Sequence, residues 1–261
     1  KRSVLTAASS SDFDIMFEPK LNMLILNNAH LLGTGESAVY FRNFDLKISY
    51  KGNCYIGEYC VFSEDGEVTE QGSLDSAIRS ENGRLTIDSD RKSTLTLCSG
   101  KGGAVVYADN GLIIEKYTKV YVTRNTSSGD ENECGIMLGD GENTKLEVYD
   151  FAKLTVNSSP NLQSKAKSVH GNTLVYYGAQ LSTSETISGN VTVNGGMFES
   201  AEGVNGSVEV LVGQATVKGE ISGDVFLHED TNSSLTLYGY ASVKGTINIP
   251  QNINTLYGID E

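Results

Sequence analysis

The run ISGNVTV, Ile187 to Val193, is followed by VNGSVEV from Val204, ISGDVFL from Ile221 and VKGTINI from Val243. Each reads apolar-x-Gly-x-apolar-x-apolar, and the starts lie 17, 17 and 22 residues apart. Alternation with period two buries one row of side chains and wets the other, which is the pattern of a half-buried strand. The glycine in each run permits a bend with positive φ between one strand and the next. A unit this short cannot close a core alone, but it can stack on a copy of itself.

A looser repeat precedes these runs. It places an Ala/Gly-Val/Ile start, a polar turn, an L-x-I strand and another short strand in order. The copies are AVYFRNFDLKISYKGNCYIG from Ala38, AIRSENGRLTIDSDRKSTLTL from Ala77, AVVYADNGLIIEKYTKVYV from Ala104 and GIMLGDGENTKLEVYDFAKLTV from Gly135. Their starts are 39, 27 and 31 residues apart, so loops of different length join equivalent strands. The runs are rich in Val, Ile, Leu, Thr and Tyr, and Asn-Gly, Asp-Gly and Ser-Gly separate them. The expected fold is all-β: a single parallel β-helix, or β-solenoid, of stacked coils with a short N-terminal cap. Residues 1–20 would form the cap segment, 21–249 the solenoid and 250–261 a C-terminal tail or cap. An antiparallel sandwich is the alternative. It needs hairpin turns and a Greek-key order, and it does not predict equivalent motifs at regular offsets. Helix is expected only within SSSDFDIMFEPK, where Ser11 precedes an apolar cluster and Pro19 would end it. NSSPNLQSKAKSVH, residues 157–170, breaks the rhythm and suggests a change of cross-section.

Composition narrows the function classes. The chain has 261 residues, a net charge of −13 and a pI near 4.7. That balance argues against nucleic acid, whose phosphates need a basic face, and against an anionic membrane surface. No apolar run reaches the length of a membrane-spanning helix, and no signal-peptide pattern is visible. Cys54, Cys60, Cys98 and Cys134 form no C-x-x-C pair and have no histidine cluster nearby, which argues against zinc. Buried free thiols are the favoured reading, with one or two disulfides as the alternative.

LKISYKGNCYIG, SAIRSENGRLTID, GAVVYADNGLIIEKYTKVYV and LEVYDFAKLTV follow one another in an order that resembles the bacterial secreted right-handed β-helix proteins of the pectin-lyase-like superfamily. More narrowly, it is similar to the repeat modules of gut and soil bacteria often labelled carbohydrate-binding-domain proteins. The resemblance spans residues 21–249. It implies an extracytoplasmic location, secreted or at the cell surface, and a polysaccharide or host glycan as ligand.

Fold does not decide activity; the site does. The N-T-D, D-D, G-H-G and R-I-K motifs of polygalacturonase-like members are absent, and only VHGN at His170 approaches one. His30, His170 and His228 lie in different units. Acids concentrate in turns, where Asp favours bends in any case. The loops GDENE and GDGEN supply the calcium candidates Asp130, Glu131, Asp140 and Glu142, because hard oxygen ligands converge there, although the EF-hand spacing is missing. Lys116, Lys119 and Arg124 are the bases a calcium-dependent lyase would draw on.

Tyrosines are the stronger signal. Tyr149, Tyr177 and Tyr238 each follow an L-x-V-like strand, and stacked coils would align them on one face. Such a row offers flat apolar faces with a hydroxyl at the edge, suited to sugar rings, or else a ladder that only stabilises the sheet. The expected function is therefore a non-catalytic secreted or cell-surface module for glycan binding or adhesion, with no cofactor unless calcium. The alternatives are a calcium-dependent polysaccharide lyase or glycoside hydrolase, and a structural stalk of a larger surface protein.

Overall fold

The computed structural model describes residues 14–58, 73–101, 103–124, 133–157, 166–228 and 233–250. These residues are all-β, without helix, and their strands pair from unit to unit in long ladders that are parallel except at the first strand. One ladder forms a nine-stranded sheet. Its inward column reads Val39, Ile78, Val106, Ile136, Val169, Ile187, Val204, Ile221 and Val243, each paired with the next. A second ladder carries the column Leu24, Ile48, Ile87, Ile114, Val148, Val175, Val193, Val210 and Leu227. The third carries Ile56, Leu97, Val122, Val156, Thr183, Ser200, Val217 and Leu237. The second and third ladders belong to one sheet because Val191–Ser200 and Val208–Val217 run through both. The chain visits the three ladders in the same order in every unit, and the columns meet as the core.

Aliphatic side chains stacked at one position in successive strands explain why the register holds. A slip of one residue would turn every inward Val, Ile or Leu to solvent. The four glycine-containing runs keep the expected register: Ile187, Val204, Ile221 and Val243 pair in turn, as do Val191, Val208, Val225 and Ile247. The third looser copy is shifted. Val106 pairs with Ile78 and with Ile136, so that copy starts at Val105 rather than Ala104. Ala104 and Val105 are both buried and apolar, so either phase fits the pattern.

The glycines of these runs act differently from expectation. Only Gly189 has positive φ, at 149°. At Gly206 and Gly245 a Cβ would lie 2.3 Å and 2.4 Å from the carbonyl oxygens of Gly189 and Gly223. Close approach of adjacent backbones, rather than a left-handed bend, excludes a side chain there. Beside these glycines, short side chains carry the turn from unit to unit. The Asn190 amide donates to Asn172 Oδ1, the Ser207 amide to Asn190 Oδ1, the Asp224 amide to Ser207 Oγ and the Thr246 amide to Asp224 Oδ1, over 2.7–3.0 Å.

Ile15–Glu18, within the segment expected to be helical, is instead a strand. It pairs antiparallel with Met23–Asn27, and Pro19 begins the tight turn between them. Apolar side chains on this short segment gain more by covering an open strand edge than an isolated helical turn could return. Of the segment that breaks the sequence rhythm, residues 158–165 lie outside the described residues, and Lys167–His170 resumes the first ladder. Cys54 and Cys134 are buried free thiols. Cys98 is disulfide-bonded, contrary to the favoured reading, with its partner outside the described residues.

Tyr50 ties units that do not touch through their strands. Its side chain is buried, its hydroxyl donates to the Lys119 carbonyl at 2.6 Å, and the Lys119 amide donates back at 3.1 Å. Burial, above all, pushes this phenol up to about 12. A raised phenol contributes stability that is intact below the unfolded value of about 10 and is lost as pH rises through the folded value. Tyr50→Phe should therefore lower the urea midpoint by an amount equivalent to about 1 kcal/mol at neutral pH and make the fall above pH ~10 shallower. Leu97→Ala, at a fully buried position of the third-ladder column, should cost about 2–5 kcal/mol in the same denaturation experiment.

Candidate functional site

Two surface regions gather side chains that can recognise a ligand. The first is the corner between the second and third ladders. There the backbone of five units turns through a left-handed residue: Asn28, Gly52, Tyr117, Phe151 and Gly178 have φ between 46° and 74°, whereas the corner that carries Arg91 has none. Asn and Gly adopt that conformation readily, whereas a bulky aromatic in it is an outlier costing about 1–3 kcal/mol. Tyr117 and Phe151 nevertheless stand there, with ring centroids 5.5 Å apart and planes at 5°. The Arg91 guanidinium lies 3.9 Å above the Tyr117 ring. Phe151 meets Tyr177 edge-on, at 5.6 Å and 87°. Gly178 leaves room for this stack, since a Cβ there would come within 2.7 Å of the Phe151 ring. Phe151 and Tyr177 remain 47% and 66% exposed.

The expected tyrosine row is not assembled. Val148 pairs with Val175, so Tyr149 falls beside Tyr176 and not Tyr177. Their rings stack at 4.5 Å and 6°, and both hydroxyls donate to Glu147 Oε1 at 3.2 Å. The slip arises because Thr173, not Leu174, points inward in that strand. Tyr238 follows Ser234–Leu237 in the third ladder and belongs to a different corner. Tyr149 thus shares a packed pair, Tyr177 stands in the corner stack, and Tyr238 is exposed alone, without a ring partner among the described residues.

The second region is a cleft of about 380 Å³ on the outer face of the first ladder, lined by Glu36, Ser37, Tyr40, Asp75, Arg79 and Glu81. Register places Tyr40, Arg79 and Tyr107 in line across three strands. Tyr40 donates its hydroxyl to Glu81 Oε2 at 2.8 Å. Arg79 Nε and Arg42 Nε flank the Glu81 carboxylate at 3.3 Å and 3.6 Å, and the Arg79 guanidinium sits 5.0 Å from the Tyr107 ring centroid. The Tyr40 hydroxyl and both arginines hold the Glu81 carboxyl below its usual range, the hydroxyl most of all. Tyr40, Arg79 and Tyr107 hold the third position of successive repeat copies, in AVY, AIR and VVY, so their alignment is a signal the sequence carries.

Of the calcium candidates, Asp130 and Glu131 lie outside the described residues, and Asp140 and Glu142 are exposed in a turn. Among the described residues no group of three or more His, Cys, Asp or Glu is placed to hold a metal. Arg124 is 1% exposed. It donates to the carbonyls of Gly103 and Cys134 and pairs with Glu133 at 3.1 Å. Lys119 is half-buried, and its backbone holds Tyr50; Lys116 is exposed in the neighbouring turn. His228 pairs with Glu209 at 2.9 Å on the surface.

No family model matches the chain, and comparison with curated proteins and with solved structures gives no significant match.

Partial burial, and after it the nearby Glu147 carboxylate, push the Tyr149 phenol well above its ordinary value, and the same causes raise Tyr176. Glu147→Gln should bring both ionisations down, read as phenolate absorbance appearing at lower pH than in the wild-type chain. An unchanged titration curve would mean that Glu147 does not act on either ring.

Proposed function

We propose that the chain is a parallel β-helix that binds glycan without catalysis, as a secreted or cell-surface module. Three parallel ladders visited in constant order, with inward aliphatic columns, support the coiled architecture. The Cys98 disulfide supports an oxidising compartment. Burial and pairing of Arg124 speak against its use as a proton-abstracting base.

The observation that carries the reading is the corner stack. Neighbouring units fill the left-handed position with Asn28, Gly52 or Gly178, so the turn itself needs no ring there. Tyr117 and Phe151 accept backbone strain and leave aromatic surface outside, where it buries no core. Exposed Tyr177 and Phe151, with Arg91 at the end of the stack, offer apolar ring surface and hydrogen-bond donors, the combination that sugar rings engage. Tyr177 is the residue of the expected tyrosine row that keeps this role.

A glycan array probed with the purified chain, in calcium and in chelator, tests the reading. Selective binding is expected, and Tyr177→Ala should weaken it roughly tenfold, the equivalent of about 1.4 kcal/mol. Phe151→Gly should also weaken it while leaving the melting temperature near wild type, because glycine relieves the left-handed strain as the ring contact is lost. A blank array would favour the structural stalk. Loss of binding in chelator alone would assign calcium a part in the site.

A further inference from the structure

We propose that the cleft on the first ladder is a second binding site, for a sugar that carries a protonated amine. It does not rest on the corner stack, which lies between the other two ladders.

The cleft has the size of a small-molecule site, and its aromatic wall is fixed in place. Tyr40 is 53% exposed, yet its hydroxyl is anchored on Glu81, which Arg79 pairs with in turn at 3.3 Å. The ring is therefore positioned before any ligand arrives, and its surface is open to the apolar side of a pyranose or to an ammonium group.

The charges divide in a telling way. Arg79 pairs with Glu81 at 3.3 Å and also lies against Tyr107, while Arg42, largely exposed at 3.6 Å from Glu81, adds little. Glu36 and Asp75 are left. The register that pairs Ser37 with Ser76 sets Glu36 beside Asp75 just ahead of the two strands, where the Asp75 and Ser76 amides donate to the Gly35 and Glu36 carbonyls at 2.9 Å and 3.0 Å. Like charges on adjacent backbone segments repel, as they do when placed opposite each other across a sheet. Asp75 has a contact of 3.7 Å with Lys101, whose side chain is largely exposed, a kind of pair that contributes little. Glu36 has no ion-pair partner among the described residues. An ammonium group between these carboxylates relieves their repulsion and gains charge-assisted hydrogen bonds. The chain's net charge of −13 draws such a ligand in. A bare divalent ion suits the site less, because it requires more hard ligands than two adjacent carboxylates supply. The pyranose accounts for the rest of the wall: Tyr40 for its apolar side, and Ser37 with the outer edge of Arg79 for its hydroxyls.

The test titrates the purified chain by calorimetry with three probes: glucosamine oligosaccharides, N-acetylglucosamine oligosaccharides of equal length, and oligolysine of equal charge. Conditions keep the amines protonated. The glucosamine series should bind at least roughly tenfold more tightly than the acetylated series, since acetylation removes one charge-assisted contact per ring. Glu36→Gln with Asp75→Asn should lower glucosamine affinity by roughly tenfold or more, and Tyr40→Ala should also weaken it. Both carboxylate substitutions are isosteric and sit in an open cleft, so a wild-type melting curve confirms that the fold is intact. Equal binding of the two sugar series overturns the proposal, as does glucosamine affinity indifferent to the double substitution. Oligolysine binding as tightly as the glucosamine series also overturns it, because charge alone would then explain the result. Tyr177→Ala should leave this titration unchanged. The corner reading and the cleft reading can therefore fail independently.

Discussion

Every unit of this molecule leaves two rows of backbone N–H and C=O groups that its own residues cannot satisfy. Only the next unit, laid in register at the spacing of a sheet, completes them. The remaining features follow from that demand. Columns of Val, Ile and Leu fix the register, because any slip would expose them. Glycine appears where adjacent backbones come too close for a Cβ, as at Gly206 and Gly245. Asn190, Ser207 and Asp224 add side-chain bonds where the strand hydrogen bonds stop at a turn.

Much of this was legible in the sequence. The equivalence of Ile187, Val204, Ile221 and Val243 can be read directly, since one apolar position and one glycine recur with little variation between them. Where a run is apolar at consecutive positions, the phase is lost. Ala104 and Val105 could each begin a copy, and Leu174 could stand for Thr173 as the inward residue. The second ambiguity placed Tyr177 where Tyr176 belongs and broke the expected row. Similarity of local pattern also set Tyr238 beside Tyr149, although their strands lie in different ladders.

The candidate sites were harder to foresee for a different reason. Arg91, Tyr117, Phe151 and Tyr177 come from four successive units, and nothing in their local sequences announces a left-handed aromatic. Glu36 and Asp75 are 39 residues apart and become neighbours only through strand pairing. Local pattern reports which residues face in or out. It does not report which outward residues share a patch, because that depends on loop lengths in every intervening unit.

The Tyr50 hydroxyl has a consequence for how the molecule comes apart. In a stack where each unit contacts only its neighbours, stability is a sum of unit terms and nearest-neighbour terms, and fraying can proceed one unit at a time. The link from Tyr50 to Lys119 reaches past the unit that contains Leu85–Ser99 and clasps the two on either side of it. Opening that intervening unit must strain or break the clasp as well. The link therefore couples the three units beyond their nearest-neighbour contacts and raises the free energy of opening the middle one relative to the ends of the stack.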